Sequence, residues 1–326
     1  MCAACGGAGS TAGGAGSGAQ TCNGSAKLCA RPVNDVVFPG THNSFAASTL
    51  PGWYFASQTY PIKRQLQDGI RALLIDIHYG IYDSAVGRVR TDLAAEGSDR
   101  NKVAQQLSPA ALRVAERVAG GIGLGSLKGT PEAYLCHTLC ELGADPLAGE
   151  LKVIADFLAA HPDQVLIVIV EDYVPPATIE RSFQAAGLTR YVATLPEAKS
   201  LPTLGELIKA DHRLLVFAEV KGGSPSWYMP AFTFIQDTPL GAVHPGQLSC
   251  DRYRGQPSSP MLLINHWIPP FPPSPALNAQ IGRAPVLRAR IRLCTRERDI
   301  PGAIVAVDFY ERTAVVRVAQ ELNAAG

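Results

Sequence analysis

Apolar residues along this chain fall into short unbroken runs separated by stretches of helical periodicity. The runs lie at 36–38, 71–78, 133–136, 164–170, 213–218, 261–264 and 303–307, with a weaker one near Tyr191 and Val192. Continuous rather than alternating apolarity marks strands covered on both faces, as in parallel sheets. Between the runs, 146–160 places Leu147, Leu151, Ile154 and Leu158 on one helical face and stops before His161-Pro162. The stretch 176–186 opens on a proline suited to a first turn and ends at Gly187. Further helices are predicted over 203–208 and 312–322. Seven strands and a weak eighth, alternating with helices, predict an α/β fold of the (β/α)8 TIM-barrel type, irregular in places. A doubly wound open sheet is the alternative, but the first strand–turn lacks the G-x-G-x-x-G of a dinucleotide fold. Residues 81–130, with a predicted helix over 102–118 and a glycine-rich run at 120–125, read as an insertion after the second strand. Residues 269–275 read as a stiff proline-rich loop able to rim a pocket.

Residues 1–21 are a Gly/Ala/Ser segment with too little apolar surface to offset chain entropy, so they are expected to be a tether ahead of one barrel domain over 22–326. Its Ala-Ala-Cys5 reads either as the tail of a lipoprotein cleavage site or as an ordinary leader; lipidation of Cys2 or Cys5 stays open. The 326 residues are 47% hydrophobic and 17% charged with a net charge of +1. That balance gives no electrostatic footprint for nucleic acid. No apolar run approaches the roughly 20 residues that span a bilayer. Six further cysteines fall as Cys22/Cys29, Cys136/Cys140 and Cys250/Cys294. Even number, local grouping and the lack of a C-x-x-C pattern favour disulfides over zinc, and with them an extracytoplasmic location, secreted or surface-anchored. Buried free thiols in a cytosolic protein are the alternative.

The strand ends carry the chemistry. The first run leads to His42-Asn43, the second holds Asp76 and His78, and the third leads to His137. The fourth leads to Glu171-Asp172, the seventh to Asn265-His266 and the last to Asp308. Catalytic groups of (β/α) barrels sit at the C-terminal strand ends, and burying so many polar groups without partners is costly. Two histidines can divide general-base and general-acid work near neutral pH. Carboxylate and amide oxygens can hold a hard cation such as Ca2+. No G-x-S-x-G elbow or P-loop is present. Phosphodiester cleavage, or another metal-assisted hydrolysis, remains.

At these residues the chain resembles the phosphatidylinositol-specific phospholipase C X-domain-like phosphodiesterase superfamily. Gly40-Thr-His-Asn-Ser44, Gln65-Leu-Gln-Asp-Gly-Ile-Arg71 running into Asp76, Leu135-Cys-His137, 161–171 and Val307-Asp-Phe309 match its ordered motifs. Cys22–Ser25, Glu171–Tyr173 and Asn265–Trp267 are similar to a disulfide-containing branch of secreted or surface proteins. The resemblance implies that His42 is the general base, Asp308 its orienting carboxylate and His137 the general acid for the leaving oxygen, with a cyclic phosphodiester formed first. It implies a phospholipid or other phosphodiester as substrate, transient membrane contact, no nucleic-acid partner and no particular oligomeric state. Asn43, Asp76 and Glu171 match three positions of a Ca2+ site, whose fourth position here is Leu74; Asp172 or water is expected to fill in. The metal-free members instead have Asp after the first histidine and Arg two residues after the strand-two Asp, where this chain has Asn43 and His78. Without metal, His78 or Arg71 is expected to carry the positive charge, and His78 and Asn265 to touch substrate. Trp53 and Tyr54 are either a lipid-facing lip or local core. Rival expectations are a glycerophosphodiester phosphodiesterase or sphingomyelinase-D-like hydrolase, and an inactive binding module on the same barrel.

Overall fold

The computed structural model describes residues 20–123, 129–197, 201–268 and 272–325. Most of the expected tether, with Cys2 and Cys5, lies outside them, as do the end of the 120–125 glycine run and the start of the 269–275 loop. Eleven strands form one sheet: β1 (Val37–Thr41), β2 (Ala72–Asp83), β3 (Arg88–Thr91), β4 (Glu132–Leu135), β5 (Asp145–Pro146), β6 (Leu166–Asp172), β7 (Leu214–Ala218), β8 (Tyr228–Pro230), β9 (Ile235–Asp237), β10 (Met261–Asn265) and β11 (Ala303–Val307). Eight of them run parallel in the order β8-β7-β6-β2-β1-β11-β10-β9. No pairing joins β8 to β9 among the described residues, so the barrel is open along one seam.

Side chains alternate along each strand between two cores. Leu73, Ile75, Ile77, Val168, Val170, Leu214, Val216 and Val305 pack with Leu147, Leu151, Ile154 and Leu158 of the helix Leu147–Ala160. Phe38, Leu74, Ile167, Ile169, Leu215, Phe217, Leu263 and Ile304 pack together on the inner face. Cys22, Leu28 and Val33 belong to that inner cluster and close the barrel at the N-terminal strand ends, where Gly302 N–H donates to the Asn34 carbonyl. Burial on both faces is why the strands read as continuous apolar runs.

Several elements depart from the sequence expectation. The run at 133–136 is not a barrel strand: β4 pairs antiparallel with the outer half of β2, which outruns the barrel and also pairs with β3. The weak strand near Val192 is a single bridge to Leu214. The barrel positions it was expected to fill are taken by β8 and β9, joined by the short helix Ala231–Phe234. β1 continues through Pro39-Gly40; the Pro39 carbonyl accepts from Arg71 N–H, and a side chain at Gly40 would crowd Ala72 and the Val305 carbonyl. The predicted helix at 102–118 is two, Arg100–Gln106 and Pro109–Ala119, because Ser108 caps the second through Ala111 N–H and Pro109 starts it. The arginine-rich helix Ala284–Arg298 has no counterpart in the periodicity reading. All three cysteine groups are disulfides: Cys22–Cys29, Cys136–Cys140 and Cys250–Cys294. No helix among the described residues is long and apolar enough to cross a membrane.

The C-terminal helix Val315–Ala325 is tied to the first strand by one side chain. Asn323 accepts from Val37 N–H at 2.9 Å and donates to the Val37 carbonyl at 2.9 Å, both buried. Asn323→Ala leaves both backbone groups unpaired and should lower the unfolding free energy by about 2 kcal/mol, measured as a lower urea midpoint at unchanged m-value.

Candidate active site

On seven of the eight barrel strands, all but β8, the inner rank ends in a polar residue one two-residue step beyond its apolar members. Phe38 and Gly40 lead to His42, Ala72 and Leu74 to Asp76, and Ile167 and Ile169 to Glu171. Leu215 and Phe217 lead to Glu219, Ile235 to Asp237, Leu263 to Asn265, and Ile304 and Ala306 to Asp308. The period of two also sorts the adjacent pairs that the sequence left together. Asp172 faces away from the cavity and accepts from the backbone N–H groups of Val220 and Lys221. His266 faces outward against Arg290 and the Ile281 carbonyl, and burial and that guanidinium lower its pKa to about 3.

β1 and β11 are neighbours with Thr41 opposite Val307, so His42 and Asp308 emerge side by side. His42 Nδ1 lies 2.8 Å from Asp308 Oδ1; the carboxylate is 1% exposed. Burial pushes the Asp308 carboxyl up, and the charge and hydrogen bond of His42 pull it back. The β2–β4 register sets Ile77 opposite Leu135, which carries His137 to Asp76: His137 Nδ1 is 2.8 Å from Asp76 Oδ2. Burial acts to lower the pKa of His137, but the Asp76 hydrogen bond and charge, with Glu171 and Asp308 behind, outweigh it and raise the imidazole above its ordinary value. That ring is enclosed among carboxylates on one side yet its side chain is 57% exposed, the open side facing the cavity. With each Nδ1–H donated to a carboxylate, each Nε2 is left for a ligand. The two ring centroids are 6.3 Å apart at 79°.

The backbone turns away directly after each of these side chains. Asn43, Thr138 and Phe309 all adopt the left-handed region, at φ of 43°, 61° and 48°. Such conformations are costly for residues other than glycine and gather at functional sites. Gln58, fully buried, helps to hold the turns: its amide donates to the carbonyls of His42 and Val307 and its Oε1 accepts from Tyr310 N–H. Trp267 stacks on the His42 ring, 4.0 Å between centroids and 4° from parallel.

His42 stands between two cavities. One, of about 200 Å3, is lined by His42, Asn43, Ser57, His137 and Asp308 at its polar end and by Trp53, Tyr54, Phe55, Leu107, Ala111 and Leu142 beyond. Trp53 and Tyr54 thus line the site, with Trp53 Nε1 also donating to Asp145. The other, of about 120 Å3, is lined by His42, Leu74, Asp76, Glu171, Glu219, Arg254, Asn265 and Trp267. A larger groove of about 720 Å3 beside Asp68, Arg283 and Arg317 contains neither histidine.

The structure brings His42, Asn43, Asp76, His137, Glu171, Asn265 and Asp308 to this region. It does not bring two others. His78 is buried beyond the barrel, bonded through Nδ1 to Glu96 and stacked under Tyr173, so it is not available to substrate. Arg71 lies at the opposite strand end, donating to the Leu66 and Ile70 carbonyls and to Gln164. The residues expected to hold Ca2+ make other hydrogen bonds in this structure. Asp76 is committed to His137, Asn43 lies against His137 and Ser57, and Glu171 accepts from Tyr173. Asp172 points elsewhere, and no group of three or more metal-ligating side chains forms among the described residues. Burial, with the Asp76 charge next, raises the Glu171 carboxyl above its ordinary range. Glu219, Asp237 and Arg254 went unnoticed in the sequence. Glu219 and Asp237 follow the two-residue step; Arg254, on a loop without apolar pattern, has no such signal. Burial pushes Glu219 up to about 7, Arg254 opposing and Glu171 and Asp76 adding to it.

Known proteins share this arrangement of elements. The family described as PI-PLC X 1 matches residues 125–323, more than half of the chain, including His137, Glu171 and Asp308. An uncharacterized secreted protein of the fungus Arthroderma benhamiae is 28% identical over 229 residues, covering 67% of this chain and only 40% of its own length. The PI-PLC X domain-containing protein 1 of the same fungus is 24% identical over 210 residues, 58% of this chain and 68% of its own. Among solved structures, a mutant of the phosphatidylinositol-specific phospholipase C from Staphylococcus aureus superposes with a TM-score of 0.54 at 9% identity. That match covers 92% of this chain and 94% of that one, a likeness of fold. With barrel, ordered motifs and family match in agreement, the chain belongs to the PI-PLC X family.

Proposed function

We propose that this protein is an extracytoplasmic phosphodiesterase of the phospholipase C type that works by histidine acid–base catalysis. The observation that carries the reading is the pair of imidazoles facing one cavity, 6.3 Å apart, each with Nδ1 on its own carboxylate. His42 Nε2 takes the proton of a substrate hydroxyl neighbouring the phosphate, and that oxygen forms the new bond to phosphorus. His137, protonated, gives its proton to the departing oxygen as the old P–O bond breaks. Asp308 holds His42 in the productive tautomer and stabilises its cation, and Asp76 does the same for His137. The first product is a cyclic phosphodiester, open to hydrolysis with the roles exchanged. Substrate is a phosphoinositide or related lipid diester. The apolar residues beyond His137 suit an apolar leaving alcohol. Three disulfides and a secreted relative support the compartment.

Turnover of labelled phosphatidylinositol and other lipid phosphodiesters tests the reading. His42→Ala and His137→Ala should each lose about 10²- to 10⁴-fold in kcat, and chelator should change nothing. Wild-type activity in both variants, or no turnover of any diester by the wild type, would sink it. The general acid must be protonated, so activity falls as pH rises through the His137 pKa. Asp76 holds that pKa up; Asp76→Asn should therefore move the alkaline limb of kcat/KM to lower pH by about one unit or more, checked against the His137 ring titration by NMR.

A further inference from the structure

The cavity on the Trp267 side of His42 has an electrostatic problem. Asp76, Glu171 and Glu219 all line it, so an anion placed against His42 there meets three carboxyl groups. Arg254 is the one permanently charged cation among its lining residues. Its guanidinium is held by its far edge. Nε and Nη2 donate to Asp237 Oδ2 at 2.9 and 2.6 Å, and Asp237 is fully buried. Its plane lies 4.4 Å from the Phe232 ring. Nη1 reaches Glu219 Oε2 at 2.6 Å, at the cavity wall, and the side chain remains 26% exposed. Asp237 thus fixes the fork, while both Nη atoms reach Glu219, Nη1 at 2.6 Å and Nη2 at 3.5 Å, so an anion takes that edge by displacing the Glu219 carboxyl group.

The supporting loop is equally fixed. Arg254 N–H donates to Asp237 Oδ1, and Asp237 N–H returns to the Arg254 carbonyl. Gly255, at φ +84°, lies so close to β9 that a methyl there would run into the Ile235 carbonyl. Cys250–Cys294 fastens the base of the loop to the helix Ala284–Arg298. A second observation points to a ligand in the same cavity. Asn265 is 2% exposed and spends its amide N–H groups on Asp237 and the Thr238 carbonyl, yet its Oδ1 accepts from no described group. A buried acceptor left open beside a cation suits a phosphate ester that carries a hydroxyl.

We propose that Arg254 is a catalytic residue of this site: its Nη edge grips the non-bridging oxygens of the phosphodiester while His42 faces the attacking hydroxyl. The proposal rests on the phosphodiesterase reading for its substrate, but anion binding can be measured without turnover. Calorimetric titration of the full-length protein with dimethyl phosphate and with inorganic phosphate provides that measurement. Wild type should bind dimethyl phosphate, and Arg254→Gln should bind it roughly ten-fold or more weakly. Because Arg254→Gln strands Asp237, the charge-matched pair Arg254→Gln/Asp237→Asn serves as the folded control and should show the same loss at an intact thermal transition. In turnover, Arg254→Lys keeps the charge without the fork. It should lose about 10²-fold in kcat and the wild-type preference between Rp and Sp phosphorothioate substrates, which a merely structural role would leave unchanged. Binding by the charge-matched pair equal to wild type, or no binding by the wild type, overturns the proposal. Arg254-dependent binding in a protein that cleaves no diester overturns the phosphodiesterase reading and with it the catalytic role of Arg254, leaving its contact with the phosphate oxygens.

Discussion

Everything at the mouth of the barrel depends on the hydrogen bond between His42 and Asp308. The two residues are 266 positions apart, and one contact fixes them: β1 lies beside β11 in parallel register, so the residues following Thr41 and Val307 leave the sheet together. An isolated carboxylate this deeply buried would be too costly to keep ionised. Its partner at 2.8 Å makes it tolerable. The same bond sets which nitrogen of His42 is free. The site therefore exists only when the first and last strands of the barrel have met.

The second histidine is reached by another route. It comes from outside the barrel, on β4, a strand that runs back along the overhang of β2. Asp76 is the junction: it ends the inner rank of β2 and receives His137 from the antiparallel partner. Glu141, buried in the turn after the Cys136–Cys140 disulfide, accepts from Thr91 and Gly123 and so binds β3 to that turn. The insertion is thus the support of the second imidazole. Around both rings carboxyl groups are in excess, and the sheet alone supplies no permanent cation to balance them; the guanidinium of Arg254 arrives on a disulfide-fastened loop.

Much of this was legible in the chain. The long central strands and the two histidines could be read because fully buried parallel strands leave unbroken apolar runs, and His42, His137 and Asp308 each follow one. The disulfide grouping was legible for a similar reason, since two of the bridges close short loops. What escaped had no local signal. β8 and β9 are three residues each, with proline, glutamine and aspartate among them, and are strands only because neighbours pair with them. Pro39 and Gly40 fall outside the apolar run, because their place between β2 and β11 is a tertiary fact. Asp172, His78 and His266 are as polar as the residues beside them that line the cavities. Their orientation follows from strand parity within the barrel and, for His78, from β2 overrunning it. Arg254 belongs to the pattern of no element at all.

The indole of Trp267 lies flat on the His42 ring. Aromatic faces respond to a cation placed against them, so the charge that His42 gains on taking a proton is delivered directly to a fluorophore. The protein carries its own optical gauge of the ionisation of that imidazole, at the one position where it is most informative. Trp53 and Trp227, which do not stack on His42, supply the background against which it is to be read.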